Sequence, residues 1–109
     1  MNRNPLHKGI KFPLQKAINF IDLLREHHAE MSPHAMLCFL YVALHEELYQ
    51  TDLADLVGVT EANVSRDISS QVELGLVELF DNPIGRRQKT IKLTWKGIAL
   101  RTKLLKILL

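Results

Sequence analysis

The chain has 109 residues and a formal net charge of +2; hydrophobic residues make up 47% and charged residues 24%, a balance that indicates one globular domain and excludes a wholly disordered chain. The single cysteine excludes an intramolecular disulfide framework and a multi-cysteine metal module. The longest apolar run, residues 35–44, would cover about half of a bilayer. A secretory signal would require an apolar stretch after the basic N-terminus, and the sequence has none at that place. We therefore expect a cytoplasmic protein without a membrane partner.

Charge is distributed along the chain in three blocks. Residues 1–21 carry four basic residues and no acidic one, and residues 82–109 carry eight basic residues and no acidic one. The segment between them, residues 22–81, holds all twelve acidic residues and only two basic ones. This separation suggests one surface for a polyanion on a body that does not otherwise attract it. Charge alone leaves open the alternative of a solvated helix face next to a soluble hairpin.

The first half of the chain predicts an arm and two helices. Residues 1–11 are polar and are typical of a flexible arm, which precedes a single domain over residues 12–109. From Pro13 apolar residues recur at helical spacing as far as His27. A Ser-Pro pair at positions 32–33 begins a second helix, because the serine oxygen caps free N–H groups and proline suits the first turn. That helix is apolar nearly all round, which predicts the buried centre of the fold.

A helix-turn-helix is predicted over residues 51–74. Thr51 opens a short helix that ends at Gly58, and Thr60 caps a longer helix that follows. An alanine four residues before the glycine lets the two helices cross closely, and a valine six residues after it anchors the second helix to the core. An ordinary helical hairpin has the same local pattern, so this motif alone does not establish DNA binding.

A β-hairpin with a basic turn, the wing, is predicted over residues 76–94. The sequences LVELF and TIKLT alternate apolar and polar residues on either side of DNPIGRRQ, which has the composition of a turn. Thr94 then caps a final helix. The predicted fold class is mainly α with a small β-hairpin (α+β), in the arrangement of a winged helix-turn-helix.

This order of elements, with the wing sequence RRQKTIKLTWKG, resembles the MarR family of bacterial winged-helix transcription regulators. The residues that carry the resemblance are Ser65, Arg66, Gly75, Leu76, Val77, Arg86, Arg87, Leu93, Thr94 and Gly97. The resemblance implies a homodimer, formed by the N- and C-terminal helices, that binds palindromic DNA. The chain departs from the family pattern at Gln71, where the family usually has leucine.

The second helix of the motif has one face suited to the major groove. If Val64 points to the core, a rotation of about 100° per residue puts Ile68 and Val72 in the buried stripe. On the opposite face, the Arg66 guanidinium matches the edge of guanine and Asn63 can pair with adenine. Serine, threonine and lysine side chains are expected at phosphates, and the wing arginines in the minor groove. The predicted DNA-binding residues are Thr60, Asn63, Arg66, Ser69, Ser70, Arg86, Arg87, Lys89 and Lys92.

Other chemistry has little support in the sequence. Cys38 lies in an apolar run, where cysteine usually fills space, and redox sensing would require an exposed thiolate. His34, Cys38 and His45 share one helix face, but zinc sites usually show tighter, repeated spacings. No nucleophile–base pair, phosphate-binding glycine loop or carboxylate pair is evident. We therefore expect no enzyme activity, no metal and no cofactor.

These observations, with the resemblance, predict a homodimeric regulator of transcription, a repressor, that binds an inverted repeat in double-stranded DNA. We expect it to be encoded by a bacterium, phage or plasmid and to associate with the nucleoid. Two alternatives remain open: a winged-helix protein for replication or recombination control of a mobile element, and a protein-interaction module without specific DNA binding. For the leucine-rich final helix, packing within the monomer and adhesion to a membrane also remain open. The sequence also leaves open whether a small-molecule effector regulates the protein.

Overall fold

The structure is a computed structural model that describes residues 7–81 and 89–109. In this part of the chain there are five helices and three strands, which confirms the predicted α+β class. In chain order they are α1 (His7–His27), α2 (Pro33–His45), β1 (Leu48–Tyr49), α3 (Gln50–Val57), α4 (Glu61–Glu73), β2 (Val77–Asp81), β3 (Lys89–Leu93) and α5 (Trp95–Leu108).

Helix α2 forms the centre of the core. Its N-cap is Ser32, whose side chain accepts a hydrogen bond from the Ala35 N–H at 3.1 Å, and proline occupies the first turn. Cys38, Phe39 and Val42 are fully buried, and the helix packs against α3, α4, α5 and β3. The start of this helix and its central place in the core are therefore as predicted, but the burial is not complete, since Leu37 and Leu44 are exposed.

Helix α1 begins earlier than the sequence indicated. It starts at His7, so residues 7–11 are helical and do not belong to a flexible arm; residues 1–6 lie outside the described residues. A proline within a helix removes one backbone hydrogen bond and crowds the preceding turn, which is why Pro13 suggested a later start. Beyond it, the helix continues to His27 and packs along α5 through the fully buried Leu24 and its neighbours.

The three strands form one antiparallel sheet in the order β1-β3-β2. In the predicted wing, β2 pairs with β3 from Val77 opposite Leu93 to Asp81 opposite Lys89. The turn that connects them, residues 82–88, lies outside the described residues. Strand β1, which the sequence analysis missed, adds two residues on the other side of β3, with Leu48 opposite Ile91. The sheet thereby connects the wing to the segment that leads into α3.

The helix-turn-helix has its predicted turn but begins one residue earlier. The chain passes directly from β1 into α3 at Gln50, with Tyr49 at the N-cap and no side-chain capping bond, so Thr51 does not open the helix. Gly58 ends α3 with a φ of 80°, a left-handed conformation that glycine adopts at little cost.

The start of α5 packs tightly against the backbone before the wing. Thr94 caps this helix as predicted, since its side chain accepts a hydrogen bond from the Gly97 N–H at 3.0 Å. A Cβ atom added to Gly97 would lie 2.2 Å from the carbonyl oxygen of Leu76, a backbone atom that cannot easily move away. Only glycine therefore fits at this crossing.

We expect Gly97→Ala to lower the free energy of unfolding by about 3 kcal/mol, because the overlap outweighs the better helix propensity of alanine. Gly58→Ala is the matched control: an added Cβ there meets nothing within 4 Å, so only the positive φ costs stability, by about 1–2 kcal/mol. Urea denaturation of both variants measures the two losses. A Gly97→Ala protein as stable as the parent would contradict the packing described for α5.

Candidate nucleic-acid interface

Helix α4 is held to the domain by three buried side chains. Val64 and Ile68 are fully buried and Gln71 is 1% exposed. These residues recur every three or four positions, so they form one stripe along the helix, and α4 packs with that stripe against α2 and α3. This contact fixes the rotation of α4 about its own axis, and with it the side chains that face outward.

The stripe differs from the predicted one at its last position. Val72 was expected to be buried but is 38% exposed, and Gln71 takes its place. The Nε2 atom of Gln71 donates a hydrogen bond to the carbonyl oxygen of Ala35 at 2.8 Å. This bond satisfies the amide nitrogen and so lowers the free-energy cost of burying the side chain. Counted from Val64 at about 100° per residue, position 71 lies closer to the core direction than position 72.

The outward face of α4 carries Arg66 as predicted. Arg66 is exposed, and its Nη2 atom donates to the Oδ1 atom of Asn63 one turn earlier. Asn63 needs both its amide oxygen and its amide nitrogen to pair with adenine. In this structure the oxygen accepts a hydrogen bond from the guanidinium, so pairing with adenine, which stays a prediction, would require that bond to open.

The start of α4 is capped by Thr60, whose Oγ1 atom accepts a hydrogen bond from the Asn63 N–H at 3.2 Å. The Thr60 side chain therefore already satisfies one of the free N–H groups at this helix end. Ser70, which was expected near phosphate, is half-buried and lies on the flank of α4 that faces the α1–α2 connection. The structure thus places Ser70 apart from the other predicted contacts.

A groove of about 220 Å³ runs between α4, the start of α3 and the two strands of the wing. It brings together two predicted residues from distant parts of the chain, Ser69 on α4 and Lys89 on β3. The other side chains in its wall were not among the predicted DNA-binding residues. The full lining is Gln50, Thr51, Glu61, Ser65, Ser69, Leu79 and Lys89.

Part of this lining could have been found from spacing. Glu61, Ser65 and Ser69 are four residues apart, so they share one flank of α4. In contrast, Gln50 and Thr51 reach the groove because β1 pairs with β3, a contact between distant segments that no local pattern indicates. The groove therefore combines residues from both helices of the motif with one lysine of the wing.

The two predicted wing lysines have different surroundings. Lys89 lines the groove next to α4. The Nζ atom of Lys92 lies 3.8 Å from the Oε2 atom of Glu47 and 5.5 Å from the centre of the Phe80 ring. Lys92 is therefore already paired on the outer surface of the sheet, and it is less available to phosphate than Lys89. Arg86 and Arg87 lie outside the described residues and stay a prediction.

The titratable groups behind α4 sit in a desolvated environment. Burial raises the pKa of Asp67 above its ordinary value, and the neighbouring His34 and Arg66 oppose this shift. Burial also raises the pKa of the Cys38 thiol to about 12, with a smaller contribution from the charge of Asp67. In the described ranges no group of three or more histidine, cysteine, aspartate or glutamate side chains could hold a metal ion. Among the helices of residues 7–81 and 89–109, none has the length and hydropathy to span a membrane.

A helix-turn-helix followed by a two-stranded wing, with the second helix exposed along one face, defines a winged helix-turn-helix domain. No protein-family model matches the chain, and the search of curated proteins gave no match. Among solved structures, however, similar chains cover almost its whole length. The chain has the winged-helix fold of the MarR-family transcriptional regulators, as the resemblance in the wing indicated.

Three of these structures illustrate the similarity. A mutant of MepR from S. aureus bound to an oligodeoxyribonucleotide has a TM-score of 0.78 at 18% identity, over 98% of this chain and 78% of that one. A MarR-like transcriptional regulator from Thermotoga maritima has a TM-score of 0.68 at 26% identity, over 98% and 77%. A mutant of MarR from E. coli complexed with operator DNA has a TM-score of 0.65 at 17% identity, over 96% and 79%. These neighbours are transcription regulators, and two of them contain DNA.

Cys38 should be unreactive in the folded protein. With a pKa of about 12, about one thiol in ten thousand is ionised at pH 8, and only the thiolate is a nucleophile. We expect iodoacetamide to label the native protein at least about a hundredfold more slowly than the protein unfolded in urea, as measured by mass spectrometry. Similar rates in the two states would show an accessible thiolate and would support redox sensing.

Proposed function

We propose that this protein is a sequence-specific regulator of transcription, a repressor, that reads the major groove of double-stranded DNA with helix α4. The observation that carries the proposal is the placement of the exposed face of α4, with Arg66 and Ser69, beside Lys89 of the wing. A helix of this width fits the major groove, and a wing next to it reaches the adjacent backbone. The DNA-containing neighbours with the same fold support this assignment.

Arg66 is proposed as the residue that reads a base. Its guanidinium is exposed at the centre of the outer face of α4, and a guanidinium can bond both O6 and N7 of guanine. The hydrogen bond to Asn63 restricts the arginine before DNA arrives, so less side-chain entropy is lost on binding. Asn63 is accordingly proposed as a positioning residue that holds Arg66 in place.

The remaining contacts are proposed to be with phosphate and with the minor groove. Ser69 and Lys89 line the groove beside α4, where the DNA backbone would pass. Glu61 lies in the same groove and opposes phosphate, but a carboxylate in the first turn also stabilises the helix end. The basic turn with Arg86 and Arg87 would offset this negative charge, since arginine favours the narrow minor groove.

A second copy of the chain is proposed to cover the apolar surface formed by α1, α2 and α5. A groove of about 460 Å³ opens there, and its lining is almost entirely apolar. On α1, Leu14, Ile18 and Ile21 are exposed on one stripe, and on α5 Leu105 and Leu108 are about half exposed. Two chains related by a two-fold axis would bury both stripes at once. Their α4 helices would then meet an inverted repeat with half-sites about 34 Å apart.

Replacing Arg66 should remove sequence preference, whereas replacing Lys89 should weaken all binding alike. We expect Arg66→Ala to weaken the free energy of binding by about 1–3 kcal/mol on a selected duplex and by little on random DNA. Lys89→Ala should reduce the slope of log K against the logarithm of the salt concentration by about one, because one phosphate contact is lost. Fluorescence anisotropy on a selected and a scrambled duplex measures both. Lys16→Ala is the control for the loss of one positive charge and should leave both affinities unchanged, because Lys16 is exposed on the face of α1 opposite the stripe of Leu14, Ile18 and Ile21.

Two outcomes of that experiment would count against the proposal. Equal losses on the selected and scrambled duplexes for Arg66→Ala would exclude a base-reading role for this residue. If the parent protein bound every duplex alike, with the affinity of generic electrostatics, the protein-interaction alternative would be favoured over a DNA-binding regulator.

If the proposed dimer forms, a charge introduced on α5 should strongly weaken it. Leu105→Asp should shift the protein to a monomer in sedimentation velocity, because the interface would bury a carboxylate in a groove whose lining is almost entirely apolar. Leu56→Asp is the control, since Leu56 is 42% exposed and Leu105 is 47% exposed, but Leu56 lies on α3 outside the apolar groove. If both variants kept the mass of the parent protein, the α1/α5 surface would not be the interface.

A further inference from the structure

Glu61 brings a negative charge to the start of the helix that is proposed to read DNA. It is the first residue of α4, it is exposed, and it lines the groove between α4 and the wing. In a helix-turn-helix, the N-terminal residues of the second helix are the ones that contact base edges. A carboxylate at this place repels phosphate, so it lowers the affinity for every duplex unless a donor on the DNA compensates it.

The carboxylate of Glu61 is not held by a cation in the part of the chain that the structure describes. There the only ion pair joins Lys92 to Glu47. Lys89 lines the same groove from the wing but forms no such pair with Glu61. The cap of α4 is supplied by Thr60, so Glu61 is not needed for that role. Within the described residues, both carboxylate oxygens are therefore left to accept hydrogen bonds from a molecule in the groove.

Cytosine is the base whose major-groove edge suits a carboxylate. An ionised carboxylate only accepts hydrogen bonds. In the major groove cytosine presents an N4 amino donor, guanine presents only acceptors, thymine presents an acceptor and a methyl group, and adenine presents an acceptor beside its donor. A carboxylate therefore pairs with cytosine, whereas at guanine or thymine it is left unpaired next to an acceptor.

We propose that Glu61 is a second specificity-determining residue of α4, which reads a cytosine by accepting a hydrogen bond from its N4 amino group. This step rests on the DNA-binding function proposed above. Arg66 lies about 140° from Glu61 around the helix axis and about 7.5 Å along it. The two side chains therefore meet different base pairs, and each half-site contains a cytosine in addition to the guanine read by Arg66.

The other side chains of the groove make this carboxylate tolerable next to DNA. Lys89 supplies a positive charge from the wing, which attracts the phosphates that Glu61 repels. Ser65 and Ser69 lie on the same flank of α4 as Glu61, and their hydroxyl groups can donate to phosphate oxygens. The groove thus combines donors for the backbone with one acceptor for a base.

The test compares Glu61→Gln with the parent protein on duplexes selected from a random pool. Glutamine keeps the side-chain length, but its amide has the donor and acceptor that suit adenine. We expect the parent to select one cytosine in each half-site, and replacement of that cytosine by thymine to weaken its binding at least about fivefold. Glu61→Gln should lose this preference, shift it toward adenine, and keep the guanine assigned to Arg66.

Glu73→Gln is the matched control for the loss of one negative charge. Glu73 is an exposed carboxylate at the last residue of the same helix, about 18 Å from Glu61 along the axis. This variant should change the affinity equally on all duplexes and leave every base preference as it is in the parent.

The inference is overturned if Glu61→Gln keeps every base preference of the parent, even with a lower free energy of unfolding, because the carboxylate then serves only the helix end. It is also overturned if the two glutamine variants alter binding alike. A parent protein that enriches no sequence contradicts the proposed regulator and this inference together. A parent that enriches a sequence without such a cytosine contradicts the inference alone, so the two failures are distinguishable.

Discussion

The burial of one stripe of α4 is the constraint on which the rest of the molecule depends. Val64, Ile68 and Gln71 face the core, and no other rotation of the helix would bury the two apolar side chains while giving the glutamine amide its bond to Ala35. This rotation directs Arg66 outward and places Asp67 beside the α1–α2 connection. The same packing arrangement therefore sets both the proposed base-reading face and the flank of α4 that faces the α1–α2 connection.

The sheet determines where the wing stands relative to this helix. Because β1 pairs with β3, the segment entering α3 and the wing share one sheet, and Lys89 is brought to the groove beside Ser69. All twelve acidic residues lie within residues 22–81, and the basic residues other than Arg3 and Arg66 lie in α1, the wing and α5. A polyanion would therefore meet attraction on the wing side and repulsion over much of the remaining surface.

The sequence predicts the features that arise from local chemistry. The caps at Ser32, Thr60 and Thr94 follow from side-chain oxygens within reach of free N–H groups, and all three form in the structure. Strand β1 was missed, because a two-residue strand has no alternation and exists only through its pairing with β3. The burial of Gln71 in place of Val72 was also missed. Hydropathy favoured burial of the valine, but the carbonyl of Ala35, distant in the sequence, accepts a hydrogen bond from the glutamine and makes its burial favourable.

The central claim is that two copies of α4 enter successive major grooves, with the wing on the adjoining backbone. The most direct measurement selects bound fragments from random duplexes and then maps the contacts on the enriched sequence by hydroxyl-radical footprinting. The account predicts an inverted repeat whose half-sites are protected about one helical turn apart on one side of the duplex. A failure to enrich any sequence over the input pool, or a single protected tract without two-fold symmetry, would contradict it.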